Sequence, residues 1–392
     1  MKHSTLSLAI ALSLMTAVSS FGSSIYAVTV LAGSGQTIGG VTLGNNFSQT
    51  NYAAIGDDGT VAFTTYGNGS VFTVSAGNIS LLAQTGQQIA GYTLAGINNS
   101  APYVNGSGQV AYTGSYLNGN TTETAVFVGT SQLTASPGNF PITLLEGFSN
   151  DGTAVFDEGA GSGNYIVTTQ STQISPVAPG QAQATINNSD EVLWFDGATV
   201  YNASDGVVAT TGSTIGGYTI GALCAPQYNG RSFALSDSGA LAVCASYAGQ
   251  TAIVSSLGSI SYLPTGGASV FTGVDINSSG LVAYVDENIG DFTTGGVFTQ
   301  YGEALAIGSV VNGKTINSLS DEGNGQFLNN SGDIIVEAGF SDGTSALLEL
   351  TPAGVPEPGT VALMFAGLAL LAATRRRCAA RAGSQAVFSV GE

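Results

Sequence analysis

The chain has 392 residues, 43% hydrophobic and only 8% charged, with 56 glycines; ordinary soluble proteins carry about 25% charged residues and about 7% glycine, so the composition is that of an all-β chain with many tight turns. Between residues 26 and 355, 23 acidic side chains face only two basic ones, Arg231 and Lys314, a balance that repels nucleic acid and anionic lipid and better suits cations and neutral or cationic polymers, or serves solubility alone. The single histidine is His3, in the leader, so the body beyond it has no Ser-His-Asp or Cys-His catalysis, no His-ligated zinc, copper or haem, and no histidine pH switch.

In chain order, Lys2 and His3 precede an apolar run from Leu6 to Val18, then small residues. A basic start, a short apolar run and a small-residue exit predict a secretory signal peptide over 1–26, cut between Ser19 and Ala27. The run is too short to span a bilayer comfortably.

An eight-residue motif then recurs seven times over 27–353: GDDGTVAF (56–63), NGSGQVAY (105–112), SNDGTAVF (149–156), NNSDEVLW (187–194), SDSGALAV (236–243), NSSGLVAY (277–284) and NNSGDIIV (329–336). Its fourth position is Gly59, Gly108, Gly152, Asp190, Gly239, Gly280 and Gly332, at spacings of 38 to 52 residues. Asn, Ser or Asp in first place, as at Asn105, Asn277 and Asn329, can bond the backbone two residues on and close a turn. Glycine in fourth place supplies a positive φ, and Asp190 is the next best tolerated choice. The motif is a turn entering a buried strand and is assigned no chemistry.

A second motif lies between copies of the first: LAGSGQTIGGVTL (31–43), LAQTGQQIAGYTL (82–94), VATTGSTIGGYTI (208–220) and LAIGSVVNGKTI (305–316). Strand-like pairs precede it, so each unit holds about four short strands. Units of about 45 residues with four strands predict a seven-bladed β-propeller, the alternatives being a β-solenoid or tandem β-sandwiches. The last copy ends at ALLELTP (346–352) without an outermost strand, and the body begins with an orphan one, AVTVLAG (27–33). That N-terminal strand is expected to complete the last blade and cover its edge.

Cys224 and Cys244 lie twenty residues apart in one repeat. In an oxidising compartment they form a disulfide or remain two buried thiols. Adjacent acids at Asp57-Asp58, Asp157-Glu158, Asp190-Glu191, Asp286-Glu287 and Asp321-Glu322 read mostly as solvated turn residues. Calcium, which takes six to eight oxygens, is the one candidate cofactor for such loops, at no assignable site. No phosphate-binding glycine loop is present.

The C-terminus reads VPEPGTVALMFAGLALLAATRRR: Val355, Pro356, Glu357 and Pro358, an uncharged apolar run from Val361 to Ala373, then Arg375, Arg376 and Arg377. The run predicts a transmembrane helix of roughly 20 Å, short of a hydrocarbon core of about 30 Å. The arginines hold its end on the cytoplasmic side, with 378–392 as a short cytoplasmic extension.

Residues 354–377 resemble the PEP-CTERM sorting signal, and the body resembles bacterial surface proteins with tandem NxxGxxAF repeats; Asn105, Gly108, Ala111 and Tyr112, and Asn277, Gly280, Ala283 and Tyr284, match that pattern fully. The resemblance implies an exosortase-type membrane protease as partner, tail removal after transient inner-membrane anchoring, and delivery to the cell surface or matrix of a Gram-negative bacterium that makes extracellular polysaccharide. The fifteen residues after the arginines depart from the usual signal, and a permanent anchor is the alternative.

Two functions remain. One is a non-enzymatic surface or matrix protein that binds an exopolysaccharide or surface protein, with Tyr52, Tyr112, Trp194, Tyr228 and Tyr284 as candidate stacking residues. The other is a carbohydrate-active hydrolase or lyase using funnel carboxylates or calcium. Carboxylates converging in the funnel favour the enzyme; scattered ones favour the binding protein. Intact-mass analysis of protein from medium and envelope should show both ends removed, and a mature chain still ending at Glu392 would refute tail removal.

Overall fold

The computed structural model describes residues Tyr26–Ala353 apart from 45–51, 66–68, 99, 136–140, 159–162, 169–174, 179–182, 203–205, 225–230, 264–268, 289–294 and 321–325. The signal peptide, the Pro-Glu-Pro tail and its apolar run lie outside the described residues. No helix among those described is long and apolar enough to cross a membrane.

Each motif turn has a left-handed residue in fourth place, with φ from 60° at Asp190 to 88° at Gly152. The turn joins two antiparallel strands, and further hairpins extend each pair into a sheet. Seven sheets of four or more strands follow one another among the described residues. The first holds Ala53–Ile55, Val61–Thr65, Ser70–Ser75 and Asn78–Gln84. The second is built on Val110–Asn118, the third on Thr153–Glu158 and the fourth on Val192–Phe195. The fifth is built on Leu241–Tyr247, the sixth on Val282–Asn288 and the seventh on Ile334–Phe340. The second motif forms a small hairpin before four of them, closed by a backbone bond from Gly35, Gly86, Gly212 or Gly308 to the carbonyl eight residues on.

The aromatic at the motif's eighth position has a structural reason. It lies directly opposite an aromatic of the next strand, and the rings stack: Phe63 on Phe72 at 5.0 Å, Tyr112 on Phe127 at 5.5 Å, Trp194 on Tyr201 at 4.1 Å and Tyr284 on Phe298 at 5.4 Å. Such cross-strand pairs add to sheet stability beyond the area they bury.

Successive sheets pack face to face through apolar clusters. Ala54 and Ala62 of the first meet Tyr112 of the second; Tyr103 and Val126 of the second meet Leu145 and Phe156 of the third. Val155 meets Ala184 and Val192, Phe195 meets Phe233, and Ala234 and Cys244 meet Val274. One larger cluster joins Val285 of the sixth, Ile334 of the seventh and Phe63 of the first. The arrangement is propeller-like, and the apolar contacts return to their start. Strand Tyr26–Gly33 pairs with Ser345–Pro352 as the outer strand of the seventh sheet, so the N-terminal strand closes the last sheet as expected.

The motif turns form a second, polar ring. Asn277 Oδ1 accepts from the N–H groups of Ser279 and Leu281 at 3.1 and 2.9 Å, while its Nδ2 donates to Asn329 O in the next sheet at 3.0 Å. Asn329 accepts from Ser331 and Asp333 in the same way and reaches Gly56 O of the first sheet at 3.5 Å. Asn105 reaches Ser149 O, Ser149 reaches Asp190, and Asn187 reaches Ser236 O. Ser238 Oγ donates to Ser278 O at 3.4 Å. Between the first and second sheets the link is close packing: a Cβ on Gly56 would lie 2.6 Å from Asn105 O.

Replacing Asn277 by Ala, at a site 4% exposed, takes the acceptor from the N–H groups of Ser279 and Leu281 and one of two donors from Asn329 O, which keeps Gly332 N. At about 1–3 kcal/mol per buried unsatisfied group, partly relieved by water, we expect a loss of about 2–3 kcal/mol in urea unfolding. Asn277→Ser, the residue found in that place at Ser149 and Ser236, should cost less; equal losses would contradict this account.

Candidate functional site

The innermost strands of the seven sheets surround a central channel, and the one buried cation among the described residues lies against it. Arg231 is 8% exposed. Its Nη2 donates to the Tyr103 hydroxyl and the Glu146 carbonyl, and lies 3.4 Å from Glu146 Oε2. Its Nη1 donates to Thr185 Oγ1 at 3.3 Å, and the guanidinium sits 5.5 Å from the centre of the Tyr103 ring. Four sheets thus meet on one side chain.

Glu146 and Asp275 supply the counter-charge. Burial pushes Glu146 up to about 7 against the pull of Arg231. Burial likewise pushes Asp275 up to about 7, against the N–H groups of Ile276, Phe327 and Leu328 that its carboxylate accepts. A buried carboxyl near 7 is the usual mark of a functional site, and also of a structural ion-pair network.

At the turn-bearing end of the channel lies a cavity of ≈ 50 Å³, lined in part by Arg231, Asp275, Asp57, Asp237 and Asn330. It has room for a few waters, each needing about 10–15 Å³. Asp57 accepts from Asn330 N at 2.8 Å and from Asn330 Nδ2 at 2.7 Å. Asp237 accepts from Asn188 N and Nδ2 at 3.0 and 2.8 Å, and also from Asn330 Nδ2 at 3.1 Å. One amide therefore lies between two carboxylates from different sheets. Burial and the nearby Asp237 charge raise Asp57 above the usual carboxylate range, against the Asn330 hydrogen bonds.

Carboxylates thus converge on the channel, at its mouth and deeper in. The adjacent acids of the sequence divide. Asp57-Asp58 and Asp190-Glu191 are turn residues. Asp157, Glu158 and Asp286 are not solvated as expected but buried in strands, and burial lifts Asp157 and Asp286 to about 6. Asp321-Glu322 lies outside the described residues. No group of three or more His, Cys, Asp or Glu suited to a metal occurs among the described residues.

Of the candidate stacking residues, Tyr112 and Tyr284 are buried in the cross-strand stacks, Trp194 is half-buried on Tyr201, Tyr52 packs against the core between the second and third sheets, and Tyr228 lies outside the described residues. Cys224 and Cys244 are joined in a disulfide. Sequence reasoning missed Glu146 and Asp275. The available signal was Arg231 itself, one of two cations in a body of 23 acids, which had to draw some of them inward.

Residues 354–377 match the model of the PEP-CTERM protein-sorting motif. The chain therefore carries a PEP-CTERM-type sorting motif near its C-terminus, which implies an exosortase-type system and supports export to the cell surface. No curated protein matches the chain. Among solved structures it is similar to virginiamycin B lyase from Staphylococcus aureus, at 8% identity and TM-score 0.45, over 83% of this chain and 99% of that one. It is also similar to a gluconolactonase from Xanthomonas campestris, at 9% and 0.36 over 84% and 90%, and to YCF48 bound to D1 peptide, at 9% and 0.44 over 85% and 99%. Likenesses this distant assign no activity.

The raised carboxyls set a pH dependence. Glu146 and Asp275 near 7, and Asp157 and Asp286 near 6, bind protons more tightly folded than unfolded, so the folded chain holds the excess protons between about pH 4 and 7. Their contribution is complete below the unfolded carboxylate range and is lost as pH rises through 6 and 7. The urea midpoint should be higher at pH 5 than at pH 8, and Glu146→Gln should flatten the upper part of the slope. A midpoint rising over that interval would contradict the assignment.

Proposed function

We propose that the exported body is a carbohydrate-active hydrolase or lyase, a seven-bladed ring with its acids at the channel mouth. The observation that carries this is the convergence of Asp57 and Asp237, far apart in sequence, on the single amide of Asn330 at 2.7 and 3.1 Å. That geometry puts the carboxyls at or below the short end of the roughly 5–10 Å separation that paired-acid glycoside hydrolysis uses. Such a pair needs one carboxyl protonated and one ionised at working pH, and the raised pKa of Asp57 beside Asp237 is in the right direction for the acid. The cavity is too small for a whole sugar ring, so a glycan would be engaged from the rim. In this reading the tail anchors the chain briefly in the inner membrane of a Gram-negative bacterium until an exosortase-type protease removes it.

A second reading has its own observation. Each carboxylate of the pair already accepts from the backbone N–H and the side-chain amide of one neighbouring asparagine, which is how a structural clamp is made. It favours the non-enzymatic surface or matrix protein that binds an exopolysaccharide or surface protein.

The test is to incubate purified body with its host's exopolysaccharide and follow new reducing ends and the ultraviolet absorbance of unsaturated uronates. Release is expected, with Asp57→Asn and Asp237→Asn lowering it by about 10²–10⁴-fold. Both variants keep an acceptor oxygen for the bridging amide, and unchanged circular dichroism would exclude misfolding. Absence of release, or full activity in both variants, sinks the catalytic reading in favour of the binding one.

A further inference from the structure

The outer end of the fifth sheet carries three tyrosines in contact with one another. The Tyr218 and Tyr247 rings lie 5.3 Å apart and nearly perpendicular; those of Tyr247 and Tyr262 lie 6.4 Å apart. Tyr262 is 46% exposed, and the other two are half-buried, resting on the core between the fourth and fifth sheets. Tyr218 belongs to the second-motif hairpin, Tyr247 and Tyr262 to the sheet itself.

The same contact occurs elsewhere but is covered. In the second sheet Tyr92 meets Tyr116 at 4.7 Å, yet Tyr116 is 2% exposed and donates its hydroxyl to Glu123. In the seventh sheet the hairpin residue is Lys314, which lies over Phe340 and is paired with Asp342. In the fifth sheet the aromatic surface opens to solvent, and the segments that carry it are uncharged: neither 206–224 nor 241–263 contains a single Asp, Glu, Lys or Arg. The exposed neighbours are hydroxyls and amides such as Thr214, Thr219 and Gln250.

The surface is also rigid. Gly221 N donates to Ser246 O at 2.6 Å, Ser246 N to Ala222 O at 2.8 Å and Cys224 N to Cys244 O at 2.9 Å. The Cys224–Cys244 disulfide locks the same two segments together, and the Tyr218 hydroxyl reaches Gly258 O at 3.4 Å. Rings held in place before binding lose little conformational freedom on contact.

We propose that Tyr218, Tyr247 and Tyr262 form a binding platform for an uncharged polysaccharide, separate from the channel. Tyrosine offers an apolar ring face with a polar handle, which matches a sugar ring with an apolar C–H face and hydroxyls at its edge. The local absence of charge selects a neutral chain, and the strongly acidic remainder of the body repels an anionic one. Tyr247 ends the strand that begins at Leu241 beside the motif turn, so roughly 20 Å of strand separates the platform from the channel mouth. The platform holds the polymer, whatever the channel does to it.

Affinity electrophoresis tests this with three soluble probes in the gel, hydroxyethyl cellulose, dextran and galactomannan, and polygalacturonate as the anionic control. At least one neutral probe should retard the wild-type body, and polygalacturonate should not. Tyr262→Ala, at an exposed position, and Tyr247→Ala should each weaken retardation about tenfold, while Tyr262→Phe retains it. Asp57→Asn should bind as wild type, which separates the platform from the proposed catalytic pair. No retardation by any neutral probe, or undiminished retardation of Tyr262→Ala, overturns the proposal. So does concentration-dependent dimerisation that Tyr262→Ala abolishes without any glycan binding, since the platform would then meet protein.

Discussion

The fold depends on what one side chain does at the start of most copies of the eight-residue motif, Gly56 of the first copy being the exception. An asparagine such as Asn277 gives its oxygen to its own turn and its nitrogen to the next sheet's carbonyl. The same group sets the local chain reversal and the spacing between neighbours. A buried backbone N–H or C=O needs a partner, and at the crowded centre there is no sheet ladder to provide one. Serine divides the work: Ser149 reaches Asp190 of the next turn, whereas Ser236 holds its own turn through Ala240 N and leaves the link to the next sheet to Ser238.

The channel chemistry follows from that ring. Bringing Asp57, Asn188, Asp237 and Asn330, each in second place of the eight-residue motif, to one mouth gathers acids and amides that interlock. Arg231, deeper in, ties four sheets together, and its charge makes it tolerable for Glu146 to be buried. Removing a counter-charge from a buried group is costly because the remaining charge has lost water as well as its partner. Glu146, Asp275, Asp157 and Asp286, which burial raises, are therefore the acids whose protonation matters most between pH 4 and 7.

Much of this was legible in the sequence, for reasons that can be named. Few residue types accept a positive φ, so the row of glycines interrupted by Asp190 could be read as one turn repeated. The strand at Tyr26–Gly33 was legible as a closing strand because the last repeat lacks one. The burial of Asp157 and Asp286 was not legible. Turns and strand ends both take acids, and only packing against a neighbouring sheet decides which are covered. Nor could the sequence show that Asn330, beyond clamping Asp57, also reaches Asp237 in the fifth sheet, because that contact exists only once the ring has closed.

The closing strand has a consequence for how the chain is made. Ser34 bonds Ser345 across 311 residues of sequence, joining the first strand of the body to the last. Pairing over such a separation is slow, because loop closure has to come before the contacts that reward it. The seventh sheet cannot be completed until residues 345–352 are available, so the first and sixth sheets keep one face uncovered until then. The ring therefore closes last, and until it does the apolar faces around Ile55 and Val297 that the seventh sheet covers are open to association with other chains.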